Sequence, residues 1–380
     1  MTWSVHQHWD PLKVCVVGRS YPPEFYSWIT VPHVRSLFEK IAVETEEDYQ
    51  NIIKKLQSFG VETLRPNIPT NASLDGKFLP PPMIPRDYIV MVGGTFYENY
   101  SFNFSHAYNN VKDASWPGCD TQEEFELLPA CIQDECISVH DFKKYQTTLD
   151  GYNHIFDRIR QQGNTIKSHR HNSALLNGAQ ISRIGQDLYF GTESYGQDTT
   201  LYKQFVDQEF PNTRNHIVNT GGHSDSTYCP VCPGLIISLQ DIPTYADTFP
   251  GWEVVYLPHQ SWEEVAPFMK LKNKNKGKWW IPGFEQDQAV IDVVESWLGH
   301  WTGYVEETVF DVNMLMIDPK NVMVFNYNKQ VFDALDRYGI TPHIVPFRHR
   351  YFWDGGVHCV TSDLHREGAM KDYFPERKNV

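Results

Sequence analysis

The sequence predicts a modular α/β fold, and three observations carry that prediction. Short apolar runs suited to buried strands alternate with amphipathic helical segments. A helix-to-strand unit, with apolar residues at helical spacing, then Gly or Pro, then a β-branched run, occurs five times. Strands also come in pairs between the helices, which argues for α/β modules over separate α and β regions.

In chain order, residues 14–17 (VCVV) read as the first buried strand. Thr45 reads as the cap of a helix whose opening Glu46, Glu47 and Asp48 suit the positive end of the helix dipole; Ile52, Ile53, Leu56 and Phe59 then fall on one face before Gly60 and a strand at 61–64. Residues 88–92 form another buried strand. Ile155, Phe156 and Ile159 precede Gly163 and a strand at Thr165 and Ile166, and Leu201, Phe205 and Val206 precede Phe210 and Pro211. A strand at 235–237 leads to a helical segment at 245–249, Gly251 and a strand at 254–257. Strands at 314–317 and 321–325 are followed by Val331, Phe332, Leu335 and Tyr338, then Gly339 and a strand at 344–347. The Pro-rich stretch 79–82 and the segment 270–278 read as surface loops.

Composition narrows the function classes. With 41% hydrophobic and 14% aromatic residues the chain can build a large core, which excludes disorder and fibres. A net charge of −14 repels phosphate backbones and anionic lipid, so neither nucleic acid nor membrane is an expected partner. The start lacks the basic flank and apolar core of a secretory signal, so a cytoplasmic location is expected. Seven cysteines cannot all pair, and in a reducing compartment a special one is catalytic sooner than structural.

Four constellations could carry chemistry. Gly355-Gly356-Val357-His358-Cys359 puts a His-Cys pair on a glycine-led loop, where the thiol is either a nucleophile or a core cysteine beside a turn. His223 and Asp225, two residues apart after Gly221-Gly222, either face one pocket or form a polar turn. Asp87, at a strand mouth, either holds a cationic group through paired hydrogen bonds or pairs with Arg86. Cys229, Cys232, Cys131 and Cys136 read better as buried free thiols than as a zinc site, and the pairs His6/His8 and His169/His171 are weak as ligands. Alternating lysines from Lys270 to Lys278 suit a solvated loop better than an anion patch. Phosphate-binding glycine loops and a GxSxG elbow are absent from the sequence.

Pro85-Arg86-Asp87, His223-x-Asp225, the stretch DVNMLMID (311–318) and above all GGVHCVTSDLHREG (355–368) resemble the glycine amidinotransferase family. The GGxHCxT core is shared with agmatine and arginine deiminases; its extension through Asp363, Arg366 and Gly368 is similar to the amidinotransferases specifically. The resemblance spans the chain and implies one unit over 1–380, a five-bladed α/β propeller of ββαβ modules with pseudo-fivefold symmetry. It implies Cys359 as nucleophile, His223 as general acid and base, and Asp87 and Asp225 as guanidinium holders, with Arg86 and His358 beside them. It implies no cofactor or metal. The implied partners are a small guanidino donor and an amine acceptor, and a homodimer is left open.

Three departures from the family pattern shape the expected specificity. Asn177 stands where the family has a carboxylate, which should weaken guanidinium binding by roughly 1.5 to 3 kcal/mol. Ile242 replaces an arginine that pairs with an amino acid's carboxylate, and Glu306 and Glu307 replace small hydroxyl residues. Such a pocket should prefer a cationic or neutral amine to glycine. The segment 261–290 has no counterpart in the family. The expectation is therefore an amidinotransferase using arginine or another guanidino donor, through a covalent amidino-Cys359. A guanidino hydrolase or deiminase on the same cysteine is the alternative, and a non-catalytic binding protein is third.

Overall fold

The alternating strands and helices assemble into five three-stranded sheets among the described residues, each with one antiparallel and one parallel pairing. The computed structural model describes residues 2–68, 73–74, 77–78, 81–98, 151–168, 177–192, 199–220, 223–239, 245–257, 281, 283–284, 286–298, 309–353 and 355–377. In every blade a leading strand turns back into a middle strand, and a helix then carries the chain to a trailing strand parallel to the middle one, as a parallel crossover requires.

Blade two runs Ile89–Val92, Thr95–Glu98, helix Asn153–Gln161, Thr165–Ser168. Blade three runs Ile181–Ile184, Asp187–Gly191, helix Thr200–Glu209, Arg214–Val218. Blade four runs Tyr228–Cys232, Leu235–Ser238, helix Tyr245–Thr248, Glu253–Tyr256. Blade five runs Leu315–Asp318, Asn321–Val324, helix Lys329–Arg337, Thr341–Ile344. Blade one closes the ring: its leading strand, Thr361–Arg366, comes from the far end of the chain and pairs antiparallel with Leu12–Val17, which continues through helix Pro32–Ser58 to Glu62–Leu64. The fold is a five-bladed α/β propeller.

Burial explains only in part why these strands are legible. Ile89–Val92, Ile181–Ile184 and Tyr228–Cys232 are buried at every position, but only the first is a continuous apolar run; Ser182 and Arg183 interrupt the second and Pro230 the third, and the trailing strands Glu62–Leu64, Glu253–Tyr256 and Thr341–Ile344 are partly exposed edges. Gly60, Gly163, Gly251 and Gly339 follow the helices of blades one, two, four and five with φ between 67° and 80°. That left-handed turn, cheap only for glycine, ends each helix and starts the return.

Two boundaries differ from expectation. The first helix starts at Pro32, which follows Val31 and occupies the first turn, where proline's missing N–H costs nothing. Thr45 is therefore not a cap. It is buried mid-helix, and its Oγ1 accepts a hydrogen bond from Trp353 Nε1 at 2.8 Å. The last trailing strand is Thr341–Ile344, earlier than 344–347, because its partner Asn321–Val324 offers its final ladder bond to Val345 N–H. Of the segment 261–290, the described part leads into helix Gln288–Leu298, whose Trp297 packs edge-on against Tyr26 and Phe38 at ring distances of 5.4 and 6.0 Å.

Candidate active site

The candidate residues share one position in the architecture: each lies in the connection just before a leading strand. Asp87 precedes Ile89–Val92, Asn177 precedes Ile181–Ile184, His223 and Asp225 precede Tyr228–Cys232, Asn313 precedes Leu315–Asp318, and Cys359 precedes Thr361–Arg366. Five blades around one ring thus bring together five pieces of sequence that lie far apart in the chain.

Cys359 sits in the turn after Gly355 and Gly356 with 6% of its surface exposed. Gly356 is required by close approach, since a Cβ there would lie 2.4 Å from Asn313 Oδ1. Asn313 Nδ2 donates to Cys359 Sγ at 3.0 Å, and the thiol lies 3.5 Å from Asp225 Oδ2. Burial, then the negative charges of Asp225 and Asp87, push the thiol well above its ordinary range; the Gly356 backbone and Asn313 oppose them. The resting group is a thiol held against a carboxylate.

Asp225 lies in the 3-10 turn Ser224–Ser226, and its Oδ2 meets His358 Nδ1 at 2.8 Å. Burial alone would raise this carboxyl, but the His358 hydrogen bond and the charges of His358, His223 and Arg86 bring it below the usual carboxylate range. Burial and the nearby Arg86 guanidinium lower His358 to about 4, so at neutral pH an uncharged imidazole faces an ionised carboxylate. His223 opens the same turn. Asn177 Oδ1 accepts the backbone N–H of Ala179 at 2.8 Å, which turns its Nδ2 toward His223 Nε2, 3.4 Å away. Short polar contacts thus join His358 and Cys359 to Asp225, and Asn177 to His223, with His223 and Asp225 two residues apart at the same turn.

Arg86 departs from the role expected of it: the guanidinium bonds Asp363 Oδ1 at 2.6 Å and the carbonyl of Thr361 at 3.1 Å, with the side chain fully buried. Arg183 and Arg366 meet the same carboxylate at 2.8 and 2.7 Å. Burial would raise Asp363, but three guanidinium groups hold it well below the usual range. The substrate-binding role expected of Arg86 is corrected to one of support, because its charge is spent on Asp363 beneath the Cys359 turn, and its backbone N–H reaches the Cys359 carbonyl at 3.4 Å.

Against known proteins, no family model matches. Inosamine-phosphate amidinotransferase 1 of Streptomyces glaucescens is 22% identical over 414 residues, covering 97% of this chain and 98% of that protein. The mitochondrial glycine amidinotransferase of Xenopus tropicalis is 26% identical over 168 residues, covering 43% of this chain and 32% of that one. The match therefore spans about a third of the length of that relative. Among solved structures, the amidinotransferase SxtG of Microseira wollei superposes with a TM-score of 0.62 at 15% identity, covering 98% of this chain and 99% of that one. The inosamine-phosphate amidinotransferase StrB1 of Streptomyces griseus gives 0.60 at 18% with the same coverage.

The chain is a relative of the amidinotransferases.

In this amidinotransferase relative, Ile242, Glu306, Glu307, the lysines from Lys270 to Lys278, Cys119, Cys131, Cys136, His169 and His171 lie outside the described residues. Cys229 and Cys232 are free and buried in a leading strand, with burial pushing their thiols up to about 12 and about 11. Cys229→Ala and Cys232→Ala should cost at most about 1 to 2 kcal/mol in a denaturant melt and leave modification of Cys359 unchanged. A loss of Cys359 modification in either variant would tie these thiols to the site. Asn313 and Asp363 carry much of the site's geometry without having been assigned roles from sequence. The signal for Asn313 is positional: it stands two residues before a leading strand, as Asp87 and Cys359 do.

Proposed function

We propose that the protein is a cysteine-dependent enzyme acting on guanidino groups, an amidinotransferase that passes an amidino group from arginine or another guanidino donor to an amine other than glycine. One observation carries the reading: a buried thiol whose ionisation is opposed by two carboxylates, Asp225 and Asp87. The ligand that offsets such a field is a cation, and a planar guanidinium can bond both carboxylates while presenting its carbon to sulfur.

In the first half-reaction Cys359 Sγ attacks the guanidino carbon. The sulfur attacks as a thiolate, its proton lost when the donor cation binds; protonated His223 gives its proton to the departing amine as the C–N bond breaks, and an amidino group remains on sulfur. In the second, an acceptor amine attacks that carbon, His223 takes its proton, and the C–S bond breaks to return the thiolate. The relatives named above are transferases, which favours transfer over hydrolysis. Incubation with arginine separates the outcomes: ornithine formed only with an added amine supports transfer, ornithine with urea means amidinohydrolysis, and citrulline with ammonia means deimination. Absence of any adduct on Cys359 would leave a binding role.

The electrostatics give a pH dependence. A guanidinium beside the sulfur lowers the raised thiol pKa, so donor binding releases a proton, and affinity rises with pH until the pH passes the free thiol's value. Titration calorimetry at pH 8 in buffers of different ionisation enthalpy should register that proton, and Cys359→Ser should lose it. Identical buffer responses in both proteins would remove substrate-assisted ionisation from the mechanism.

A further inference from the structure

Asn313 sits where three functional groups meet, and the mechanism above leaves it unused. Its Oδ1 accepts the backbone N–H groups of His358 at 2.8 Å and Cys359 at 3.0 Å. Its Nδ2 donates to the backbone carbonyl of Asp225 at 3.1 Å and to Cys359 Sγ at 3.0 Å. Two N–H donors on one end of the amide fix that end as oxygen, so the group facing sulfur is NH₂. The residue is 1% exposed, and the missing side chain of Gly356 is what admits it.

We infer that Asn313 is the positioning residue of the nucleophile, holding the sulfur of Cys359 and the turn of Asp225 in one fixed arrangement and supplying a hydrogen bond that strengthens when the sulfur is anionic. This rests on Cys359 being the nucleophile. A residue serving only to tie the loop would need its oxygen alone, whereas this one spends a donor on sulfur, a weak acceptor as a thiol and a good one as a thiolate. The sulfur becomes anionic twice per cycle, before attack and again as the C–S bond breaks. The same N–H is in place for both events without rearrangement. Asp225 and Asp87 press the other way, so the donor sets how much of the thiolate is available when the substrate cation arrives.

Asn313→Asp keeps the shape and the oxygen that accepts both N–H groups, but replaces the donor with an acceptor facing sulfur. The full chain, its Asn313→Asp variant and Asn313→Ser would be alkylated with iodoacetamide from pH 7 to 10, with Cys359 followed by peptide mass spectrometry and folding by thermal melt. The expected result is a Cys359 rate about tenfold or more lower in Asn313→Asp below pH 9, with the profile displaced to higher pH and a cooperative but lower melt, since the Asp225 carbonyl also loses its donor. Asn313→Ser, which lacks the reach to sulfur, should shift in the same direction and decides the matter if Asn313→Asp does not fold. An undisplaced profile in a folded variant overturns the inference. Adduct formation with arginine is scored separately. A shifted profile without any adduct in the wild type would sink the transferase reading and leave the clamp standing, and an unshifted profile with a normal adduct would do the reverse.

Discussion

Cys359→Ala is expected to abolish the covalent amidino adduct and lower turnover by on the order of 10⁴-fold or more, since it removes the atom that forms the carbon-sulfur bond. His223→Ala should lower turnover by about 10²- to 10⁴-fold while leaving the thiol open to alkylation, because it removes proton transfer and not the nucleophile. Intact-mass analysis after incubation with arginine checks the first, and steady-state rates check the second. Cys359 is a small side chain buried with 6% of its surface exposed, so the alanine variant removes only one sulfur and should still fold. Equal losses in Cys229→Ala or Cys232→Ala would count against Cys359 as the nucleophile.

Asn177→Asp is expected to tighten a cationic guanidino donor by about 10- to 150-fold, the equivalent of one charge-assisted hydrogen bond. The substitution is clean in structural terms. Asp caps the turn Gly178–Gln180 as well as Asn does, keeping the acceptor for Ala179 N–H, and turns a second oxygen toward His223 Nε2 where an NH₂ now points. The added charge should also favour protonated His223, moving the acidic limb of the rate profile to higher pH. Donor affinity by calorimetry and the pH profile of turnover are separate readouts. Unchanged affinity would mean that the donor's charged end does not approach this position, and that Asn177 serves the turn alone.

The members of this candidate site could be singled out in the sequence because they sit on loops with glycine or proline punctuation, while the roles expected of them came from the family resemblance. The turn at Cys359, the pair His223 and Asp225, and Asp87 after Pro85 all stand out against the buried strands that follow them. Other features were hidden for a physical reason. Asp363 takes its guanidinium partners Arg86 and Arg183 from 277 and 180 residues away, and nothing local to any of the three reports that convergence. Asn313 lies just before the apolar run 314–317 that reads as strand, and its partners are two backbone N–H groups, a carbonyl and a sulfur 45 or more residues distant. The first helix misled in a different way: Thr45 with three acidic residues after it copies a capping signal, while tertiary packing against Trp353 carries the helix through it.

Closure of the ring by Thr361–Arg366 has a bearing on how the molecule comes into being. A ribosome delivers Leu12–Val17 before the other four blades and its antiparallel neighbour Thr361–Arg366 after them. The turn bearing Cys359 immediately precedes that late strand, so completing the first blade and delivering the sulfur to its carboxylates are a single event. A chain lacking that strand holds Asp87 and Asp225 without the thiol, and the candidate site is whole only when the circle shuts.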